Sequence, residues 1–428
     1  MGKTIELYYE SAYIKEFEAD VVSCTEVSNG ESAPKNGGAG DGNGKFEVVL
    51  NQTAFFPEQG GQSSDVGVIS ICGEGAGAEG AAAGGAAGES DAKVSYVSID
   101  KEGVIRHLVD RVLPVGSRVH GSIDFGHRFS NMQQHTGEHI FSGIVHSEYG
   151  YDNVGFHLSD AEVTMDYNGV LGPEDIKKIE LMVNRAIWEN IEVICRFPSK
   201  EELDTIDYRS KKELTGDVRI VTIPGYDDCA CCAPHVEKTG EIGLLKVISC
   251  QNYKGGVRVN ILCGGRALEY IQNEHEIVSQ LSGMLTTSAD KIIPSLNKMR
   301  DENADLKARL NGANEELIGY QIAGIDTDQK DVFLVKDGSI DQNVIRKTVN
   351  ALIESHSGYC GVFAGDAKAG YRFIIGSGSE GKDCKALLEK IKQTCDVKGG
   401  GSPQMIQGSI QIDNVNIVEL IDQISGNS

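Results

Sequence analysis

The chain has 428 residues, room for two to three domains, and its 40% apolar content is that of a globular protein. A formal charge of −23 argues against a uniformly basic nucleic-acid binder, and no apolar run is long enough to span a membrane. Eleven scattered cysteines, an odd number without a disulfide-framework spacing, and an N-terminus lacking a secretory signal point to thiols in a reducing cytoplasm.

From the N-terminus, strand-like runs occupy 20–27, 45–51, 66–72 and 94–100. Between them lie two Gly- and Ala-rich segments, 28–44 and 73–92, too poor in apolar residues to fold. They are expected to be long hairpin loops of an all-β unit over about 1–125. Neither carries the Lys and Ser/Thr pattern of a phosphate loop.

The stretch SNMQQHTGEHIFSGIVHSEYG, 130–150, reads as a helix. Ser130 is the expected N-cap, with Gln133 three residues on, and Gly150 the expected stop. Ile140, Phe141, Ile144 and Val145 recur at helical spacing and should face a core. His135 and His139 are four apart and share a helix face, a metal-ligand spacing that is weak evidence by itself. Gly137 inside the helix costs roughly 1 kcal/mol against alanine, so something should approach closely there. Strands are expected in both halves of 153–168, a helix over Pro173 to about Glu189, and strands at 192–197 and 218–224.

A second cluster, CACCAPHVEKTGEIG at 229–243, places Cys231 and His235 four apart with Cys229 and Cys232 nearby. A zinc site needs four ligands, or three and an open position, so this loop and the paired histidines together favour a bound metal.

Residues 266–323 turn charged and helical. Leu296, Met299, Asn303, Leu306, Leu310, Ala313, Leu317 and Tyr320 form a heptad seam, with Pro294 expected to end or kink the helix before it. The seam can pair with 267–285 or with a second chain. The last hundred residues alternate strands (331–335, 359–365, 371–377) with helices (340–355, 381–395). They end in KGGGSPQMIQGS, 398–409, read as a Gly-rich turn entering a short helix. From 331 onward ten Lys and Arg stand against twelve Asp and Glu, a net −2, so this portion is the least repelled by phosphate.

Three segments in this order, TAFFPEQGGQSSDVG at 53–67, HTGEH at 135–139 and CCAPHVEKTGEIG at 231–243, resemble the editing module of alanyl-tRNA synthetases and the free-standing AlaX proteins. The C-terminal part, with its KGGG, resembles the DHH-associated domain of the long AlaX type. The resemblance implies an α+β multidomain protein: a small β-barrel over 1–125, a zinc-binding editing domain over 126–265, a helical coiled-coil-like linker over 266–325, and a DHH-associated α/β domain over 326–428. It implies a zinc-dependent hydrolase that deacylates tRNA for alanine mischarged with serine or glycine, and a homodimer in the cytoplasm is expected. No synthetase catalytic segment precedes the β unit, so aminoacylation is not expected.

By this resemblance the metal ligands are His135, His139, Cys231 and His235. Cys231, rather than Cys232, keeps the four-residue step to His235. Thr53 and Gln62 are the expected catalytic pair, Thr53 rewarding a seryl hydroxyl and Gln62 holding water, while Gly60 and Gly61 let substrate approach the backbone. Four protein ligands leave no open position, so zinc is expected to position and stabilise charge. Glu138 precedes the second histidine and is expected on a solvated face. His146, about 10 Å along the helix from His139, is expected to be structural. Lys398, Gly399, Gly400 and Gly401 are expected to bind tRNA, with Lys368, Arg372, Lys382 and Lys385 adding counter-charge, although Ser402 stands where the family commonly has Arg. The alternatives are a non-catalytic tRNA-binding protein with structural zinc, and an editor of another aminoacyl-tRNA such as seryl-tRNA for threonine.

Overall fold

The computed structural model describes residues 2–27, 45–72, 91–160, 162–210, 217–366, 368–378, 382–411 and 417–425. The expected Gly- and Ala-rich loops lie almost wholly outside them. The described chain is mixed α+β and forms two compact units, 1–277 and 278–428.

The first unit begins with a short parallel pair, β1 (Ile5–Glu6) and β4 (Gln52–Thr53). A closed six-stranded barrel comprises β2 (Glu16–Glu26), β3 (Phe46–Leu50), β5 (Gly67–Ile71), β6 (Ala92–Ile99), β7 (Ile105–Val109) and β8 (Arg118–Ile123), in the order β2-β3-β7-β6-β5-β8. The four strand-like runs all fall in it. Alternation does the work: Phe17, Ala19 and Val21 of β2 are buried, as are Val119 and Ile123 of β8. Between the latter sits Gly121, where a Cβ would come 2.5 Å from the Phe17 ring. Closure leaves the barrel without unpaired edges.

Helix α1 (Phe125–Tyr149) follows directly and starts six residues, nearly two turns, earlier than Ser130 suggests. Asp124 is its N-cap, accepting from His127 N–H, and Ser130 lies inside the helix. The local capping pattern was misleading because a carboxylate upstream satisfies the first free N–H groups better. Gly150 closes the helix in the left-handed region at φ 68°, its N–H on His146 O. Residues 131–132 and 134–145 of α1 are all buried. Its anchor is Arg128, fully buried against Asp65, with further bonds to the carbonyls of Ala12 and Ala54.

Around α1 stands an antiparallel sheet in the order β14-β15-β10-β9, made of β9 (Asn153–Leu158), β10 (Val163–Tyr167), β14 (Leu245–Tyr253) and β15 (Gly256–Cys263). Helix α2 (Pro173–Glu189) buries Ile179, Val183, Ala186 and Ile187 against this core. The short α3 (Lys200–Leu203) and a three-stranded sheet of β11 (Ile194–Arg196), β12 (Ile220–Ile223) and β13 (Asp227–Ala230) complete it. Gly137 is explained by packing: a Cβ there would lie 2.4 Å from Cys263 Sγ of β15.

Helix α4 (Gly264–Leu285) runs out of the first unit. In the second unit, α5 (Ile292–Ala323) holds Pro294 in its first turn, where proline is tolerated. Leu296, Met299, Leu306, Leu310, Leu317 and Tyr320 of the heptad seam are exposed on it. A sheet in the order β16-β17-β18-β20-β19 contains β16 (Val332–Lys336), β17 (Cys360–Asp366), β18 (Gly370–Gly376), β19 (Asp396–Gly401) and β20 (Met405–Gln411). Helix α6 (Gln342–Ser355) packs on one face through Val344, Ile345 and Val349. Helices α7 (Cys384–Thr394) and α8 (Ile417–Ser425) pack on the other through Leu387, Leu388, Ile391 and Leu420.

The expectation for 398–409 is corrected. Lys398 to Gly401 are not a turn before a helix but the end of edge strand β19, and a Ser402–Met405 turn leads into β20. The glycines serve close strand contact. A Cβ on Gly399 would lie 2.6 Å from Gln407 O, and one on Gly408 2.4 Å from Lys398 O. No helix follows the glycines; residues 402–405 turn the chain into β20.

Candidate metal centre

Two segments a hundred residues apart meet at one point. His135 and His139 project from adjacent turns of α1, and Cys231 and His235 come from the loop after β13. Their donor atoms lie within 4.8 Å of one another. Cys231 Sγ is 3.5 Å from His135 Nε2 and 3.4 Å from His235 Nε2. A zinc tetrahedron with Zn–N ~2.1 Å and Zn–S ~2.3 Å has S···N edges of about 3.6 Å, so the donor spacing fits that ion.

The hydrogen bonds assign each imidazole. His135 Nδ1–H donates to Gln62 Oε1 at 2.8 Å, and His139 Nδ1–H to Asp227 Oδ2 at 2.9 Å. Thr136 spends its only proton on Met132 O, so its Oγ1 must accept from His235 Nδ1–H, 3.0 Å away. All three Nε2 atoms are thereby left with a lone pair, the ligand form. Burial is the largest influence on His235 and pushes it down to about 3, keeping it neutral. Burial would raise the Cys231 thiol, yet His135 foremost and the other two histidines packed around its sulfur outweigh it and hold the thiol well below its ordinary value. Burial opposes charge on His139, but Cys229, Asp227 and Cys231 overcome it and raise His139 well above 6.5. The pocket stabilises positive charge at the place a cation would take.

Asp227 was not found from sequence. It is buried, accepts from His139, and also takes Arg209 Nε at 2.7 Å and Nη2 at 2.9 Å. Burial works against its ionised form, but His139 and Arg209 more than compensate and hold its carboxyl below the usual range. With His139 and Cys229 it forms a second trio of donor atoms. The Arg209 guanidinium already supplies the cation there, so the trio backs His139 rather than making a second site. No sequence signal marks Asp227 and Arg209, which lie 88 and 70 residues from His139, the helix position they support.

The turn at Gly60–Gly61 docks on this cluster. Both glycines have positive φ, 66° and 86°. A Cβ on Gly61 would meet Phe156 O at 2.7 Å, and one on Gly60 would meet Cys232 Sγ at 3.2 Å. Leu158 N–H on Gly61 O and Ser63 N–H on Leu158 O fasten the turn to β9, which brings Gln62 to His135. Gln62 is fully buried, and its Nε2 has no partner among the described residues.

Thr53 is placed differently from the cluster. It is buried beside the barrel histidine His107, another residue sequence reasoning missed. His107 Nδ1–H donates to Val48 O, so Nε2 accepts the Thr53 hydroxyl at 2.9 Å, and Phe55 N–H donates to Thr53 Oγ1. One lone pair of the hydroxyl remains. Glu138 is buried, contrary to the expected solvated face, and accepts from Ser142 and Asn153 at 2.6 Å. His146 is exposed and pairs with Asp152.

Comparison with known proteins adds the context. Residues 218–260, which hold Cys231 and His235, match the family described as threonyl and alanyl tRNA synthetase second additional domain. Over 95% of its length the chain is 27% identical to alanine–tRNA ligase of Methanoregula boonei, and over 99% it is 27% identical to that of Pyrococcus furiosus. The chain is related to the alanyl-tRNA synthetase editing domain. It spans only 41% and 43% of those two ligases, and 32% of the 28% identical ligase of Ignicoccus hospitalis, which matches 74% of this chain. Among the described residues of this alanyl-tRNA synthetase relative, no helix is long and apolar enough to cross a membrane.

Proposed function

We propose that the chain is a trans-acting editor, a hydrolase that cleaves the ester joining serine or glycine to tRNA for alanine, with zinc held by His135, His139, Cys231 and His235. The observation that carries this is the convergence of one thiolate and three imidazoles, each imidazole bonded through Nδ1 so that Nε2 faces inward. Bound zinc would supply Lewis-acid stabilisation of negative charge on a carbonyl oxygen.

The chain's own residues do the rest. Gln62 holds His135 and keeps an amide N–H in reserve, a donor suited to the oxygen that gains charge during ester attack. Gly60 and Gly61 form the tight turn that presents Gln62 to the cluster. The remaining lone pair of Thr53 is matched to a seryl hydroxyl, which alanine lacks. Discrimination of this kind protects the fidelity of translation.

The domain division we propose is barrel 1–125, editing domain 126–265, helical linker 266–325 and C-terminal domain 326–428. The exposed α5 seam is the surface for a homodimer, because a lone amphipathic helix gains stability from a packing partner. Lys398 and Gly399 to Gly401 belong to a tRNA-binding surface, and the protein acts in the cytoplasm. A second reading is favoured by the matched family description, which also names threonyl synthetases: an editor of seryl-tRNA for threonine.

Deacylation of tRNA for alanine charged with serine, glycine or alanine, and of seryl-tRNA for threonine, tests these readings. Faster release of serine than alanine from tRNA for alanine, lost on chelation and restored by zinc, is expected. Preference for the threonine tRNA selects the second reading. A folded, zinc-loaded protein that hydrolyses none of them excludes both. Gln62→Met should lower hydrolysis while the metal content stays at one equivalent or falls only slightly.

A further inference from the structure

The loop that supplies Cys231 continues a three-stranded sheet whose edge carries an exposed aromatic ring. In that sheet Arg196 of β11 stands opposite Ile220 of β12, and Ile220 opposite Ala230 of β13. Cys231 N–H donates to Arg219 O at 3.0 Å, so the pairing runs on by one residue and Cys231 stands opposite Arg219. By the same register Phe197, the residue after β11, falls beside Arg219 on its other side. Neighbouring strands lie about 4.8 Å apart, so the backbone of Phe197 ends this row about 10 Å from that of the metal ligand.

Side-chain contacts tie the two ends of the row together. Arg219 is buried, and its Nη1 donates to Cys231 O at 3.0 Å and to Ala233 O at 2.8 Å, so it fixes the loop between the two metal ligands Cys231 and His235. Its guanidinium lies over the Tyr9 ring, 5.4 Å from the centroid. Tyr9 meets Phe197 edge to face with centroids 5.3 Å apart, and meets the buried Tyr8 in the same way at 4.7 Å. Phe197 itself is 49% exposed. A half-exposed phenyl ring is ordinary by itself. Here it is the outer member of a chain of packed groups that ends on the peptide of a metal ligand, so its place relative to the metal centre is fixed.

We propose that Phe197, backed by Tyr9 and Arg219, is the stacking seat for the terminal adenine of the aminoacyl-tRNA. This inference rests on the editing reading. The ester and the adenine are carried by one ribose, so with the ester carbonyl at the metal centre the base lies within a sugar's width of it. The Phe197 ring offers an exposed aromatic face at that range. Phe156 does not, because it packs on the His135 ring itself with centroids 4.8 Å apart and so lies against the reacting group. Stacking uses the π face of the base and needs no hydrogen bond from the protein. The seat is also uncharged, so in a chain of net charge −23 it holds the nucleoside without depending on attraction for the phosphates. Phe197 touches the base, while Tyr9 and Arg219 are positioning residues that hold the ring in register with Cys231.

The test is calorimetric binding of two non-hydrolysable ligands to the full-length protein with zinc added. One is adenosine carrying serine as a 3′-amide in place of the ester; the other is the same compound with hydrogen where the adenine stands. The adenine should strengthen binding about tenfold, the effect of one base–aromatic stack, and the preference should hold from low to high salt. Phe197→Ala should reduce the preference below twofold with zinc content and melting temperature unchanged, since the ring is half exposed, and Phe197→Trp should restore it. A preference that survives Phe197→Ala, one that vanishes as salt rises, or no binding of either ligand overturns the proposal. Equal binding of the two ligands by a protein that still deacylates seryl-tRNA overturns the seat and leaves the editing reading standing. An adenine preference lost in Phe197→Ala, in a protein that deacylates no tRNA, supports the seat and counts against the editing reading alone.

Discussion

Replacing Asp227 with asparagine separates a carboxylate that tunes the metal centre from one that merely anchors Arg209. Asp227 Oδ2 accepts from both His139 Nδ1 and Arg209 Nη2, while Oδ1 accepts from Arg209 Nε. An amide has one oxygen, so in either orientation its NH₂ confronts an N–H donor. His139 then loses the partner that fixes its proton on Nδ1. The site is well shielded from water, with Asp227 at 1% side-chain exposure and Arg209 at 14%, so screening does not soften the loss. Outer partners of ligating histidines are typically worth about 10- to 100-fold in metal affinity, roughly 1.4 to 2.8 kcal/mol. The assay is zinc competition against a chromophoric chelator with the full-length protein. Asp228→Asn is the control, because that carboxylate bonds Thr222 and not a histidine. Zinc affinity of Asp227→Asn within twofold of the wild type, with Asp228→Asn, would refute the reasoning.

Three further outcomes are expected. Arg128→Met leaves the fully buried Asp65 without its cation, and denaturant unfolding should show a loss of about 3 to 5 kcal/mol, the usual effect of breaking a buried pair; a loss below 1 kcal/mol would mean that water reaches Asp65. Burial pushes His107 down from 6.5 to about 4, so between those values the unfolded chain takes a proton that the folded one refuses. Stability should therefore be unaffected by His107 above pH 6.5 and decline by about 3 kcal/mol as pH falls to 4, and the difference in unfolding free energy from His107→Gln across that window isolates it from His235; identical pH profiles would count against a neutral His107. Thr53→Val should lower kcat/KM for seryl-tRNA roughly 2- to 10-fold, one neutral hydrogen bond, with less effect on glycyl-tRNA; equal loss on both would make Thr53 scaffolding.

What the sequence determined by itself was local. Helix periodicity is a property of neighbouring residues, so α1, α2 and α6 were legible, and so was the sharing of one face by His135 and His139. The same four-residue step joined Cys231 to His235, and the motif order carried the resemblance that the comparisons support. Four of the six barrel strands were legible because alternation within a strand reports its two faces, whereas β7 and β8 were not read. Tertiary structure decided what depends on distant partners. Whether a polar group is buried is set by what packs on it, which is why Glu138 proved to be interior and Asp227 and Gln62 proved to hold the histidines. A glycine run has no side chains with which to declare its conformation, so only strand pairing could show that Lys398 to Gly401 form an edge of the sheet. The row of Arg372, Ser409 and Lys398 exists only through the register of three strands, since residues 11 to 37 apart in sequence become neighbours only when their backbones hydrogen-bond.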